Sequence, residues 1–203
     1  GMVPLKDYFS GNKVPDNPNM ASSQKCIRTI DIDIIGDTDR HLSFFEMLGN
    51  FSVGKYFKKE AILYSYEFIT EVLSINPERL WFTVYKDDKE SFDIWLNEIG
   101  VPEERIQYGD KDNIPGPCGP CSEIFIDRGS KYGPDGGPIG GGEDRFVEIW
   151  NLVFMESIQD KPFEVVGTLP SKNIDTGMGL ERIAMILQEK DSLFETDLFS
   201  SIH

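Results

Sequence analysis

The stretch IDTGMGLERI, Ile174 to Ile183, places an acid, two glycines and an arginine close together at the start of an apolar run. A carboxylate such as Asp175 can receive an ammonium group. Gly177 and Gly179 would let a flat ligand lie against the backbone, and Arg182 is the residue type that meets phosphate. The same spacing suits a structural turn, with glycines for the bend, Glu181 in the first helical turn and Arg182 in a surface ion pair. The segment alone leaves both readings open.

A second group lies far upstream. Arg28 stands in an apolar segment, where it is either a paired structural arginine or part of a site. The following loop, GDTDRHLS, adds Arg40 and His41, and Phe44, Phe45 and Glu46 come next. Cations for phosphates and an aromatic face for a base thus fall within one hairpin, which points towards a nucleotide. Asn151, in the apolar run FVEIWNLVFM, needs a hydrogen-bond partner. Cys118 and Cys121 have the spacing of half a zinc site or a redox pair. The other half is missing, because Cys26 is the only further cysteine and His41 and His203 are the only histidines. The Gly-Pro between the two cysteines makes a stiff turn, so a structural loop is favoured and no metal ligand is assigned. Neither a nucleophile elbow nor a GxxxxGK loop occurs, which argues against Rossmann-like and P-loop nucleotide folds.

These residues must be positioned by the elements around them. Up to Ser23 the chain is rich in Pro, Asn and Gly and reads as loop or extended chain. Lys25–Ile35 alternates as a strand, with Ile27, Thr29, Asp31 and Asp33 on one side and Arg28, Ile30 and Ile32 on the other; FFEMLGNF is its antiparallel partner. Lys58–Leu73 reads as a helix with Ala61, Ile62, Phe68, Ile69, Val72 and Leu73 on one stripe. Arg79–Tyr85 is a strand, and ESFDIWLNEIG is a helix closing at Gly100. IPGPCGPCSEIFIDRG passes from a Pro/Gly loop into a strand whose Cys121, Glu123, Phe125 and Asp127 share a face. SKYGPDGGPIGGGEDR is a glycine-rich surface loop or lid. Phe146–Met155 is a strand with Asn151 on the face of Val147, Ile149 and Val153. A turn around Gly167–Pro170 leads to a strand end at Ile174 and a helix from Leu180. The whole predicts an α+β fold, an antiparallel sheet flanked by helices.

Composition narrows the function. With 203 residues, 39% of them hydrophobic, the chain suits one domain over residues 1–203 with a substantial core. No apolar run has the length of a membrane helix and no secretory signal is visible, so no membrane partner is expected. An odd number of cysteines, 3, fits a reducing compartment, and the expected location is the cytoplasm. A net charge of −15 argues against a nucleic-acid-coating surface.

Five segments, CIRTIDIDIIGDTDRHLSFFEMLGNFSVGKYF, RLWFTVY, GPCGPCSEIF, EIWNLVFM and IDTGMGLERIAMIL, resemble the catalytic core of the alanyl-tRNA synthetases, which are class II aminoacyl-tRNA synthetases. They follow the family's order from about Met2 onward. The resemblance implies a truncated class II aminoacylation domain. In it, ATP and L-alanine give alanyl-adenylate and pyrophosphate, with Mg²⁺ bridging the phosphates, before alanine passes to the 3′ end of tRNA(Ala). It also implies roles. Arg28 would hold the α-phosphate, Arg40 and His41 would lie near the outer phosphates, and Phe45 would stack on adenine. Gly179 would lie beneath the adenosine and Arg182 on the phosphate side, so that Arg28 and Arg182 are the catalytic pair. Asp175 would bind the alanine ammonium, with Gly177 and Asn151 lining the pocket.

The chain departs from the family pattern in places. Motif 1 and the tRNA-recognition, editing and C-terminal domains fall outside it, so tRNA binding is expected to be weak or absent. An Asn-Phe-Trp segment usual before the GPCGPC loop has no counterpart in YGDKDNIPGPCGPC, which lowers the expected affinity for alanine. Ile34, Asp37 and Asp39 stand where the family often has Asn, Arg and Ala, and two acids there oppose a polyphosphate. Two functions follow: an alanine-activating fragment or truncated paralogue, or a catalytically impaired paralogue that binds a nucleotide or an amino acid.

Overall fold

The computed structural model describes residues 1–29, 32–109 and 115–200. In chain order its elements are Lys6–Phe9 (α1), Asn19–Ile27 (β1), Phe44–Val53 (β2), Lys58–Glu67 (α2), Leu80–Tyr85 (β3), Lys89–Asp93 (α3), Ile106–Gly109 (β4), Gly116–Cys118 (β5), Cys121–Asp127 (β6), Gly137–Gly140 (α4), Phe146–Lys161 (β7), Glu164–Gly179 (β8) and Leu180–Leu187 (α5). The strands form a sheet in the order β1-β2-β8-β7-β6-β3-β4, with β5 joined to the outer part of β7. β3 and β4 run parallel and the other pairs antiparallel.

One face of the sheet carries the main core. Leu80, Phe82 and Val84 of β3, Ile124 and Ile126 of β6, Leu152 and Phe154 of β7 and Ile174 and Met178 of β8 pack there against Ala61, Ile62, Trp95, Ile183 and Met185. Trp95 lies over Phe82 with ring centroids 4.1 Å apart. Its indole N–H donates to Ser122 Oγ at 2.9 Å, and Ser122 Oγ donates to the Thr83 carbonyl at 2.8 Å, so the one polar atom of the largest core ring is satisfied. The helices on this face are tied at their starts. Asp88 caps α3 by accepting the Ser91 N–H at 3.2 Å, and its carboxylate also receives Lys58 Nζ, at the start of α2, at 2.6 Å. Removing either partner of this buried pair strands a charge, at a cost of about 3–5 kcal/mol.

On the opposite face a smaller cluster joins Phe9 of α1 to Phe51, Met155 and Leu169, with Met20, Val53 and Val153 packed around them. The N-terminal segment thereby covers one end of this face and leaves the remainder as a cleft wall.

The structure corrects several sequence expectations. β1 begins at Asn19, inside the segment read as loop or extended chain, and ends at Ile27 instead of continuing to Ile35. Its partner β2 starts at Phe44, opposite Ile27, and the described backbone continues the pairing only as far as the Arg28 N–H, which donates to the Ser43 carbonyl at 2.8 Å. Ile32–Ile34 forms a short 3₁₀ turn, and Ile30 and Asp31 lie outside the described residues. The second helix widens at Phe68–Val72 into i→i+5 turns, with Leu73 N–H donating to the Phe68 carbonyl at 2.9 Å. The wider turn rotates the stripe, and Val72 is 67% exposed.

Gly167–Pro170 is not a turn. β7 and β8 continue past it as a long hairpin that reverses at Pro162 and Phe163, between the paired residues Lys161 and Glu164. Phe163 takes the required positive φ of 64°. Pro170 sits where the register shifts between the pairs Met155–Asn173 and Ser157–Thr168, a place that does not demand its missing N–H. A second bulge, opposite Ile124 and Phe125, changes the face of Asn151. Trp150 pairs with Ile124 but Glu148 with Phe125, so Val147 and Ile149 join the core while Asn151 shares the cleft face with Glu148 and Val153.

Candidate active-site cleft

The cleft face is built by cross-strand register. Thr83, Glu123, Asn151 and Gly177 are successive partners across β3, β6, β7 and β8. One step along, Cys121, Val153, Asp175 and Phe51 form the next row. Asn151 and Asp175 are therefore diagonal neighbours, with Cα atoms about 7–8 Å apart in such a ladder. The Asn151 amide oxygen is buried without a hydrogen-bond partner among the described residues, leaving an acceptor in the middle of this face. Beside it, Glu123 accepts the Thr83 hydroxyl at 3.0 Å.

Gly177 and Gly179 continue β8 as extended strand, and neither has a positive φ, so they are not there for a bend. A Cβ at Gly177 would approach Met47 Sδ to 2.9 Å, and one at Gly179 would meet only Arg182 Cβ at 3.6 Å, an ordinary contact. The fold itself makes little demand for glycine at 179. The turn reading of this stretch is thereby replaced by a strand that ends at Gly179 and feeds directly into α5.

Arg182, in the first turn of α5, donates from Nη1 to the Glu148 carbonyl at 2.7 Å and from Nη2 to the Arg40 carbonyl at 3.4 Å. These bonds bring the loop between β1 and β2 against the end of β8. Glu148 Oε2 lies 3.7 Å from Arg182 Nη1. Arg40 itself points to the glycine-rich loop. Its two terminal nitrogens each lie 2.6 Å from a carboxylate oxygen, of Glu143 and of Asp144, and its side chain is 14% exposed while theirs are 84% and 60% exposed. His41 Nδ1 shares a 2.7 Å hydrogen bond with Thr38 Oγ1. Arg28 is exposed, its guanidinium carbon 5.4 Å from the centroid of the Phe45 ring.

The glycine-rich loop packs against Trp81, Gln107 and Phe146. Gln107 donates to the Gly136 carbonyl at 2.9 Å and accepts the Ile139 N–H at 2.9 Å, holding α4 over β4. The loop is fastened again where Asp127 accepts Arg145 Nε at 2.8 Å, Arg145 Nη2 at 2.9 Å and the Gly129 N–H at 2.7 Å. Burial pushes the Asp127 carboxyl up, but the Arg145 and Gly129 bonds outweigh it and hold it below the usual carboxylate value. The Cys-Gly-Pro-Cys turn is packed against β7. A Cβ on Gly119 would lie 1.7 Å from the Phe154 carbonyl oxygen, so glycine is obligatory there.

Glu181 was read from sequence only as a helix-start acid. Its carboxylate is buried, and Oε1 accepts the Glu46 N–H at 2.8 Å. Oε2 is buried with no hydrogen-bond partner among the described residues, at a cost of about 1–3 kcal/mol that matches or exceeds the gain from the bond. Glu143, Asp144 and Glu148 carry no sequence signal that marks them as neighbours of Arg40 and Arg182. Glu123 had been placed on the correct face by strand alternation, but without a role.

The structure thus brings Asn151, Asp175 and Gly177 together, sets Arg28 on Phe45, and links Arg40 to Arg182 through backbone. No helix among the described residues is long and apolar enough to cross a membrane.

The family model for tRNA synthetases class II (A) matches residues 1–203. The chain is 54% identical to an alanine–tRNA ligase of Thermobifida fusca and 55% identical to one of Natranaerobius thermophilus, in each case over 100% of this chain and 24% of the relative. It thus spans about a quarter of the length of these relatives. Among solved structures, the apo histidyl-tRNA synthetase of S. aureus is similar with a TM-score of 0.52 at 12% identity, over 96% of this chain and 52% of that one, a likeness of fold.

Proposed function

Because the chain belongs to the class II tRNA synthetases, as part of their catalytic region, we propose that its cleft activates L-alanine with ATP. The observation that carries this reading is the placement of Asp175, Gly177 and Asn151 in adjoining rows of the cleft face, next to the Gly179–Arg182 strand-to-helix junction. Asp175 would hold the alanine ammonium, while Asn151 would offer to the same group its amide oxygen, which has no partner among the described residues. The open backbone at Gly179 leaves room for a nucleoside, and Phe45, freed of Arg28, would present its ring to adenine.

The alanine carboxylate is already an ionised nucleophile, so no general base is required. One of its oxygens attacks the α-phosphorus as the bond to the β-bridging oxygen breaks, giving alanyl-adenylate and pyrophosphate. Arg28 would offset the charge that builds at the α-phosphoryl group, and Arg182 would fix the phosphates in line; catalysis is mostly alignment and electrostatics. Mg²⁺, when bound, offsets the charge of the phosphate oxygens. Such an ion takes only one or two carboxylates in addition to phosphate oxygens. Glu148 beside Arg182 fits that need, whereas no group of three or more acids, histidines or cysteines gathers among the described residues. Transfer of alanine to tRNA(Ala) belongs to this reading as the onward reaction named for the relatives. A pocket for so small a side chain separates alanine from glycine or serine only weakly.

A second reading is favoured by one observation: Arg40, the cation nearest the expected outer phosphates, is already bonded to Glu143 and Asp144. On this reading the chain binds a nucleotide or amino acid without activating it. Pyrophosphate exchange with alanine, glycine and serine, alongside ATP calorimetry, separates the two. Alanine-dependent exchange supports activation. ATP binding without exchange, in a folded sample, supports the binding module.

A further inference from the structure

Phe45 lies at the start of β2, where the sheet is incomplete. On one side Phe45 pairs with Cys26 of β1. On the other, β8 ends at Gly179 opposite Met47, so β8 offers no ladder partner to the Phe45–Glu46 tip. The bond from the Glu46 N–H to Glu181 Oε1 takes the place of the missing rung. Glu181 is followed in sequence by Arg182, which is anchored through the Glu148 and Arg40 carbonyls. One side chain therefore ties the strand tip carrying Phe45 to the helical turn carrying Arg182. It does so at a cost, because its second oxygen is buried without a partner among the described residues. A net stabilising role would not select a buried, half-satisfied carboxylate at this position.

We infer that Glu181 is a positioning residue that sets the distance between Phe45 and Arg182, the aromatic and cationic sides of the nucleotide slot. This rests on the reading of the cleft as an ATP site. The role belongs to the Oε1 acceptor, which an amide oxygen can replace. It acts on ATP and not on alanine, since Asp175, Gly177 and Asn151 are held by ladder pairs that Glu181 does not touch.

The test compares Glu181→Ala and Glu181→Gln with the unaltered chain by pyrophosphate-exchange kinetics and by amide hydrogen exchange without ligand. Glu181→Ala should raise the KM for ATP by about tenfold or more while the KM for alanine stays within about twofold, and Glu181→Gln should restore the KM for ATP to within about threefold. Amide exchange at Phe45–Met47 should quicken by about tenfold in Glu181→Ala and not in Glu181→Gln. The inference is overturned if the folded alanine variant keeps its KM for ATP, if both KM values rise together, or if the glutamine variant is as impaired as the alanine one. If calorimetry shows that the unaltered chain binds no ATP, the ATP reading fails by itself. The amide-exchange comparison then still decides whether Glu181 holds the strand tip: equal exchange in all three chains overturns that too.

Discussion

Asn151, Asp175 and Gly177 sit in the middle of the sheet, whereas Arg28, Arg40 and His41 sit at or beyond the ends of β1 and β2. Asn151 and Asp175 are positioned by ladder pairs on both sides and Gly177 by its pair with Asn151, so their geometry is fixed by the same bonds that fix the fold. The second is positioned by side chains: Arg40 by Glu143 and Asp144, His41 by Thr38, and Arg28 by the Phe45 ring. On the proposed reading, amino-acid recognition would rest on ladder-paired strand residues and phosphate recognition on side-chain contacts at strand ends. That division agrees with the chemistry, since alanine offers few atoms to recognise and needs tight placement, while a triphosphate supplies charge enough to reorganise its own contacts.

The largest effects should come from the rigid half. Gly119→Ala would force a methyl group to 1.7 Å from the Phe154 carbonyl, on the strand that carries Asn151. Backbone cannot give way there, so the variant should lose its cooperative thermal transition, a loss of more than about 4 kcal/mol. A well-folded Gly119→Ala would show that the sheet half is softer than the ladder implies. Asp175→Ala should leave the fold and ATP binding in place and lower alanine-dependent exchange by about 100-fold or more, the effect of stranding a bound charge. Loss of ATP binding in the same variant would mean that the two halves are not separate.

The division also explains what could be read from sequence. The helix starting at Lys58, the strand at Leu80–Tyr85 and the helix closing at Gly100 were legible because their apolar periods face a single core. The Asp175–Arg182 stretch was legible as a candidate site, with its glycines suiting either a bend or the close approach of a ligand; the extended backbone removes the bend, and at Gly179 no neighbour demands glycine. One bulge in β7, between Glu148 and Trp150, hid the true face of Asn151, because a one-residue insertion reverses every alternation beyond it. Gly167 and Pro170 imitated a turn, whereas the real one, Pro162–Phe163, places a bulky residue at the positive-φ position. The ion pairs of Arg40 were out of reach, since their partners lie over 100 positions away in sequence.

Neutralising that contact sharpens the comparison on the side held by side chains. Glu143→Gln combined with Asp144→Asn removes two exposed acids that a polyphosphate must otherwise displace from Arg40. Each exposed pair is worth at most about 1 kcal/mol. The double variant should therefore bind ATP about 3- to 10-fold more tightly by calorimetry at low salt, with the gain shrinking as salt rises. Weaker ATP binding would mean that the acids orient Arg40 instead of competing for it.

The smallest effect expected is on the fastening of the glycine-rich loop. Asp127 is held below the usual carboxylate value because its bonds to Arg145 and Gly129 outweigh the burial that pushes it up. A carboxyl whose folded pKa is depressed adds stability that is fully present above its unfolded pKa, near about 4, and lost as pH falls through the lower folded value. Asp127→Asn should therefore lower Tm by about 2–4 °C at pH 7. The gap to the unaltered chain should close as pH falls through the lowered folded value, where the native carboxyl becomes protonated as well. Hydrogen exchange should place the loss in the loop and leave the β7–β8 ladder near Asn151 and Asp175 unchanged. Exchange that quickened equally in both places would show that the loop and the sheet open as one unit, and the contrast between the two halves would then not hold.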